Sequence, residues 1–117
     1  MNNMMTEGMD FQIPRLTCDE DTGRILSFIS SRPRCVREIS KTLNISMAKC
    51  SRRMREMEEK GFVKRDDEKR DGADVYRSNL RFYRLMIEGE RLCQELEFID
   101  GSRKTFDLDI GLLMEES

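Results

Sequence analysis

Basic side chains at short spacing are the groups in this sequence best suited to bind a defined chemical partner. Lys49, Arg52, Arg53 and Arg55 all fall within ten residues, 46–55. An arginine donates two parallel hydrogen bonds to a phosphate or to the O6 and N7 atoms of guanine, and a lysine adds a point charge. Four such groups in one short stretch predict a surface that meets a polyanion.

The stretch that carries these groups is predicted to be an amphipathic helix over residues 46–60. Cys50, Met54 and Met57 fall on one face at helical spacing, opposite a face of small and basic residues. Its acids lie near the C-terminal end and its cations near the N-terminal end. The helix therefore suits entry into a DNA major groove by its N-terminal end.

The net charge of the chain hides a segregation of charge along it. The 117 residues include 21 lysines and arginines and 23 acids, a formal net charge of −2. Residues 24–84 alone hold 17 basic and 9 acidic side chains, a net charge of +8, and the two flanks together carry −10. Because a partner responds to local charge rather than to the total, the central segment is expected to meet an anionic partner.

Catalysis and metal binding find little support in the composition. The sequence has no histidine and no glycine-rich phosphate loop, so we predict that the protein is not an enzyme and uses no cofactor. The four cysteines are irregularly spaced, which indicates free thiols rather than a metal site. Cys35 is the one candidate for redox sensing, since it precedes a predicted helix and is expected to be partly exposed.

The N-terminal part of the chain is predicted to be an arm followed by a helix. Residues 1–16 are interpreted as a loosely ordered arm, extended at best around Pro14. Thr17 and Glu20 have the spacing of a capping box, which predicts a helix over 17–31.

The next elements predict a helix-turn-helix. A short helix is expected over 36–43, with Cys35 in the capping position. Asn44 suits the left-handed residue after this helix, and Ser46 suits the cap of the helix over 46–60. Two short helices joined by a three-residue turn form this motif.

The C-terminal half is predicted to hold a hairpin and one more helix. A strand is expected over 62–67, a turn at Asp71-Gly72, and a return strand ending at 79–85. A last helix is predicted over 87–99. The predicted fold class is mainly α with a small β-hairpin (α+β). We expect one domain over 17–99, between the arm 1–16 and a tail, 100–117.

The order of these elements resembles the winged helix-turn-helix of prokaryotic transcription regulators in the ArsR/MarR-like group. The likeness is carried by VREISKTLNIS (36–46), SMAKCSRRMREMEEKGFVKR (46–65), the charged hairpin and YRLMIEGERL (83–92). It implies a sequence-specific, double-stranded DNA-binding transcription regulator. The third helix would lie in the major groove, and the wing (62–85) on the flanking backbone or minor groove. The paired cysteines of the metal sensors are not reproduced here, so metal sensing stays open.

The candidate DNA-binding residues come from the exposed face of the third helix and from the wing. The members predicted on the helix are Ser46, Ala48, Lys49, Ser51, Arg52, Arg53 and Arg55. Those predicted on the wing are Lys64, Arg65, Lys69, Arg70 and Arg77. The wing also contains five acids, so a hairpin that neutralises its own charge is the alternative interpretation.

The partners are expected to be DNA and a second copy of the chain. No apolar run is long enough to cross a bilayer, so a cytoplasmic protein without a membrane partner is predicted. A homodimer is expected, with its interface on the last helix (Leu92, Leu96, Ile99) or on the arm (Met4, Met5, Met9, Phe11). The alternative function is a winged-helix module that binds proteins rather than DNA.

Overall fold

The computed structural model describes residues 12–109, as four helices and six strands. In chain order the elements are α1 (Gln12–Thr17), α2 (Glu20–Ile29), β1 (Arg34–Cys35), α3 (Val36–Leu43), α4 (Met47–Glu59), β2 (Val63–Arg65), β3 (Val75–Ser78), β4 (Leu80–Glu88), β5 (Arg91–Phe98) and β6 (Arg103–Asp109). The winged helix-turn-helix class is confirmed, with more β structure than the sequence suggested. None of the helices described is long and apolar enough to span a membrane.

The helix-turn-helix forms as predicted from its turn residues. Asn44 has φ 59° and ψ 47°, the left-handed conformation that ends α3, and Ile45 is buried beneath the turn. Ser46 caps α4 by accepting a hydrogen bond from the backbone N–H of Lys49. Gly61 follows α4 at φ 80°, where a side chain would be strained. The predicted third helix is therefore α4.

The core lies beneath the helix-turn-helix and joins it to both sheets. The apolar face predicted for α4 is confirmed, because Cys50, Met54 and Met57 are all at most 1% exposed. Apolar residues from α1, α2 and both sheets belong to the same cluster. Its fully enclosed members include Ile25, Ile29, Ile39, Phe62 and Leu96.

The first sheet holds the wing and has the strand order β1-β3-β2. Asp71 and Gly72 both have positive φ, 52° and 80°, as a tight hairpin turn requires, so the predicted turn is confirmed. The prediction that 79–85 close the wing is wrong. The return strand is β3, and Leu80 already begins a second sheet.

The second sheet, β4-β5-β6, replaces the helix that was predicted over 87–99. That prediction is wrong, because burial along β5 alternates: Leu92, Gln94, Leu96 and Phe98 are buried, and the residues between them are half-exposed. Such a period of two is that of a strand. Gly89, at φ 63°, closes the β4–β5 hairpin. Residues 103–109 of the predicted tail form the third strand.

The N-terminal prediction is wrong in two respects. Residues 12–17 form α1 instead of an extended arm, and Pro14 fits there because the first turn needs no backbone N–H from it. Asp19, not Thr17, caps the next helix, while the Thr17 hydroxyl donates to the Pro14 carbonyl at 3.0 Å. Residues 1–11 of the predicted arm lie outside the described residues, as do 110–117 of the tail.

Asn79 is the only residue between the two sheets. Its backbone N–H donates to the Phe62 carbonyl at 2.8 Å, and its carbonyl accepts from the Ile99 N–H at 2.9 Å. Its side-chain amide donates to the Gly61 carbonyl at 2.8 Å. The wing and the second sheet are thus joined by one residue that is bonded to both sides.

Candidate nucleic-acid interface

The four cations of α4 separate into two pairs with different surroundings. Lys49 and Arg53, one turn apart, face the start of α2. The Lys49 Nζ lies 2.9 Å from the Asp21 Oδ2, and the Arg53 Nε lies 3.1 Å from the Asp19 Oδ2. Arg53 also contacts Glu56 at 3.0 Å. These two cations hold α4 against α2, so they position the helix.

Arg52 and Arg55 point to solvent on the other side of α4. Both are exposed, and neither makes an ion pair or a side-chain hydrogen bond with any residue from 12 to 109. A guanidinium without an internal partner keeps all five of its N–H donors for an outside acceptor. These two arginines are therefore the groups of α4 that are ready to bind a ligand.

Small side chains lie at the start of α4, in the turns that precede Arg52 and Arg55. Ser46 and Ala48 are exposed and Ser51 is half-buried. Met47, in the first turn, is 50% exposed, which is unusual for so large an apolar side chain. Small side chains permit the helix backbone to approach a partner closely. Met47 adds an apolar contact that the sequence prediction did not include.

The cations of the wing are largely engaged with acids. Arg65 lies 3.0 Å from Glu58 and 3.1 Å from Asp74, and Lys69 lies 3.8 Å from Asp74. Arg77 lies 3.8 Å from Asp66, the residue that follows the neighbouring strand β2. Lys64 is exposed on β2. The ion pairs favour the alternative interpretation for much of the wing, in which the hairpin neutralises its own charge.

Arg70 connects the wing to α3 through Glu38. Its Nη1 lies 3.0 Å from the Glu38 Oε1, while Arg34 occupies the other carboxylate oxygen at 2.8 Å and Arg32 lies 3.6 Å away. The hydrogen bond from Arg34 and the charges of Arg34, Arg70 and Arg32 hold the pKa of Glu38 below its ordinary value. Arg70 also pairs with Ala73 across the Asp71-Gly72 turn, so its contact with Glu38 holds the tip of the wing against α3.

Two basic residues on α3 were missed as candidate contacts. Arg37 and Lys41, one turn apart, are exposed and form no ion pair with the described part of the chain. In a helix-turn-helix the first helix crosses the phosphate backbone, which makes both residues candidates for phosphate contact. Their spacing of four, opposite the buried Ile39, was the signal that could have identified them.

Asp19 joins the capping of α2 to the placement of α4. One carboxylate oxygen accepts from the Thr22 N–H at 3.0 Å and from the Arg53 Nε at 3.1 Å. Burial raises the pKa of Asp19, but the hydrogen bonds and charge of Arg53, with the Thr22 hydrogen bonds, outweigh it and leave the pKa below its ordinary value.

Asp19→Ala is expected to lower the free energy of unfolding by about 1–2 kcal/mol, because the cap and the Arg53 pair are both lost. Asp19→Asn keeps a capping oxygen and removes only the charge. Since the folded pKa is depressed, the charge contributes stability that is present above about pH 4 and lost as the pH falls below it. Urea titrations of wild type and Asp19→Asn from neutral to acidic pH measure this. A difference in free energy of unfolding between the two proteins that stayed the same at acidic pH would contradict this prediction.

Cys35 occupies the capping position of α3 without capping it. Its backbone is extended (φ −90°, ψ 163°), but its side chain makes no cap hydrogen bond. The thiol is half-buried, on a strand that pairs with β3. Its role in redox sensing stays a prediction. Among the described residues, no cluster of cysteines and acids is arranged to hold a metal ion.

Cys35→Ser is expected to raise the free energy of unfolding by about 0.5–1 kcal/mol, because a hydroxyl is a better capping acceptor than a thiol. DNA affinity should stay unchanged. Thermal unfolding and a gel-shift titration measure the two effects, and Cys35→Ala is the matched control without a capping group. A redox role would be revealed if an oxidant released DNA from the wild type and not from Cys35→Ser.

Comparison with known families identifies the segment that contains this surface. Residues 22–64 match the family model described as winged helix-turn-helix DNA-binding. The match runs from α2 through the turn and α4 to β2, which is where the sequence predicted the motif. A search of curated proteins finds no match to the chain. The resemblance to winged helix-turn-helix proteins is thus confirmed for this segment, and the narrower ArsR/MarR-like grouping stays a prediction.

Proposed function

We propose that this chain, whose residues 22–64 match the winged helix-turn-helix DNA-binding family model, is a sequence-specific regulator of transcription in the cytoplasm. In this proposal α4 enters the major groove of double-stranded DNA by its N-terminal end. Arg52 and Arg55 contact base edges, most favourably guanines, and Met47 contacts an apolar base edge such as a thymine methyl group. Arg37, Lys41 and Lys64 contact phosphates on either side.

The observation that carries the proposal is the division of cations on α4. If the basic residues served only solubility, no particular pairing with the rest of the chain would be expected. Instead Lys49 and Arg53 pair with Asp21 and Asp19 at the start of α2, while Arg52 and Arg55 have no ion pair within residues 12–109. A helix whose apolar face is fully buried and whose two outer guanidinium groups have no partner among residues 12–109 is suited to bidentate recognition, which requires a fixed geometry.

The competing proposal is a winged-helix module that binds a protein instead. The acidic flanks and the ion pairs within the wing favour it, because both reduce the attraction of DNA. A gel-shift competition on the full chain separates the two. DNA selected by repeated binding from a random library should be retained at moderate salt against excess random fragments. If no selected DNA sequence is retained by the protein, the protein-binding module becomes the better proposal.

We further expect two chains on one operator. A single module covers roughly 600–1,000 Å² of DNA-facing surface, and regulators of this kind increase it by binding two half-sites about one helical turn apart. The interface predicted on a last helix is not available, because Leu92 and Leu96 are buried in the protein's own sheet. Ile99 stays 48% exposed, and the residues predicted on the arm lie outside the described range.

A further inference from the structure

Strand β4 is an edge strand whose outer half is left without cover. Within the described residues it forms one edge of the second sheet, with β5 on its other side. All residues from 84 to 90 are exposed, and this run includes Leu85 at 42%, Met86 at 48% and Ile87 at 71%. Exposed edge strands with large apolar side chains readily pair with another strand, and natural proteins usually block them with charges, prolines or bulges.

The hairpin geometry shows which backbone groups are available at this edge. Gly89 and Glu90 form a two-residue turn that joins the paired residues Glu88 and Arg91. In such a hairpin the closing pair bonds to itself and alternate residues bond to the partner strand. The backbone N–H and C=O groups of Leu85 and Ile87 therefore point away from β5, toward the open edge.

The side chains of β4 are complementary to a second copy of the same strand. An antiparallel pair centred on Met86 places Arg84 opposite Glu88, Leu85 opposite Ile87 and Met86 opposite itself. Leu85 and Ile87, whose backbone groups point outward, then form hydrogen-bonded pairs, as the alternation requires. If the register shifts by two residues toward Arg84, Arg84 lies opposite Met86 and loses its acidic partner. If it shifts by four residues, Arg84 lies opposite Arg84 of the second copy, and the two charges repel. Only the centred register pairs both charges and both apolar residues.

We propose that the chain forms a homodimer by antiparallel pairing of β4 with β4 of a second copy, with Arg84 opposite Glu88 of the partner subunit. The two sheets then become one six-stranded sheet. Arg84 can keep its contact with Glu95 at 3.0 Å, because its fork has donors for both carboxylates. Glu88 has no ion pair with the described residues of its own chain. This interface would bring two chains together on one operator, as the proposed function expects. The pairing of the two strands does not itself require DNA.

The test uses two charge reversals on the full chain, measured by sedimentation without DNA. Arg84→Glu sets Glu opposite Glu in the homodimer, and Glu88→Arg sets Arg opposite Arg. Each should weaken dimerisation roughly tenfold, since two attractive pairs become repulsive. An equimolar mixture of the two variants should associate about as tightly as the wild type, because each strand then meets its complement. Arg81→Glu is the matched control, because Arg81 also pairs with a glutamate of β5 but lies outside the proposed contact of residues 84–88, so dimerisation should change little.

Each outcome decides the proposal. A wild type that sediments as the 13.8 kDa monomer throughout the micromolar range would overturn it. So would single reversals that dimerise like the wild type, or a mixture that associates no better than either variant alone. Circular dichroism establishes that the variants fold. Because gel shifts with Arg52 and Arg55 variants test DNA binding separately, loss of the dimer and loss of the proposed function are distinguishable.

A cysteine pair keeps the proposal testable if a charge variant does not fold. In a Cys93→Ser background, Met86→Cys places the two new thiols opposite each other, within the distance that a disulfide spans. Mild oxidation should then link most of the protein as a dimer. Arg84→Cys in the same background is the control, since its two copies would be roughly 13 Å apart along the strands. No linkage at position 86, or equal linkage at both positions, would overturn the register.

Discussion

Replacing Arg52 and Arg55 together by alanine is expected to abolish the preference of the protein for its operator over random DNA. Each lost bidentate contact costs about 1–3 kcal/mol on the correct site, so the loss of both should reduce specific affinity by roughly 30-fold or more. Stability should hardly change, because neither side chain is paired within residues 12–109. The measurement is a gel-shift titration of operator and random DNA, with circular dichroism as the check on folding.

Arg77→Ala is the matched control for the helix variant. Arg77 is an exposed arginine on the wing, and its ion pair with Asp66 is long, at 3.8 Å. If it meets a phosphate, its loss should weaken binding to all sequences alike and reduce the slope of log affinity against log salt by about one. A double variant that binds operator DNA and random DNA each with the affinity of the wild type would show that α4 is not the reading helix.

Phe62→Ala is expected to lower the free energy of unfolding by about 3–5 kcal/mol, as loss of a buried aromatic ring usually does. The side chain is fully buried, and its backbone bonds to Met57 on one side and to Asn79 on the other. The cavity therefore opens where α4, the wing and the second sheet meet. Such a loss is a large part of the stability of a domain of this size.

Chemical denaturation with fluorescence or circular dichroism detection measures this effect. Phe62→Leu is the matched control, because it keeps an apolar side chain and should lose clearly less than the alanine variant. Phe82→Ala tests the role of burial, since Phe82 is only half-buried on the outer face of the second sheet. A Phe62→Ala protein as stable as the wild type would show that the core does not depend on this junction.

Local rules predicted the helix-turn-helix well because its signals act over a few residues. Asn44, Ser46 and Gly61 each have a conformational or capping preference that is expressed within one turn of chain. The apolar spacing of Cys50, Met54 and Met57 is equally local, and all three side chains are buried. The turn at Asp71-Gly72 was found for the same reason.

The second sheet was missed because its sequence fits two periods. Leu92 and Leu96 recur every four residues, which suits a helix, and the same two positions also belong to the alternating pattern of a strand. Gln94 decides between them, because its burial against α1 continues the period of two. Its Nε2 donates to the Pro14 carbonyl at 3.3 Å, 80 residues earlier in the chain. A contact so distant in sequence is outside the reach of local patterns.

The sequence could predict that the four basic residues lie on α4, but not which of them pair with acids of the same chain. Sequence spacing brought the cations of α4 together, and it could not show that Lys49 and Arg53 meet the acids of α2. Those acids, Asp19 and Asp21, lie about 30 residues away in the chain. Ion pairs of this kind depend on how helices pack, so they follow from tertiary structure alone.

Asn79, the single residue between β3 and β4, couples local unfolding of the wing to that of the second sheet. Asn79 leaves no slack between β3 and β4, and its backbone and side chain are hydrogen-bonded to Phe62, Ile99 and Gly61. The wing cannot separate from the core without breaking bonds that also hold the start of the second sheet. The backbone amides of β3 and of the first residues of β4, 80–83, should therefore exchange with solvent through one shared opening event and show similar protection. A partner that binds the wing and stabilises it should then also slow amide exchange at the start of the second sheet.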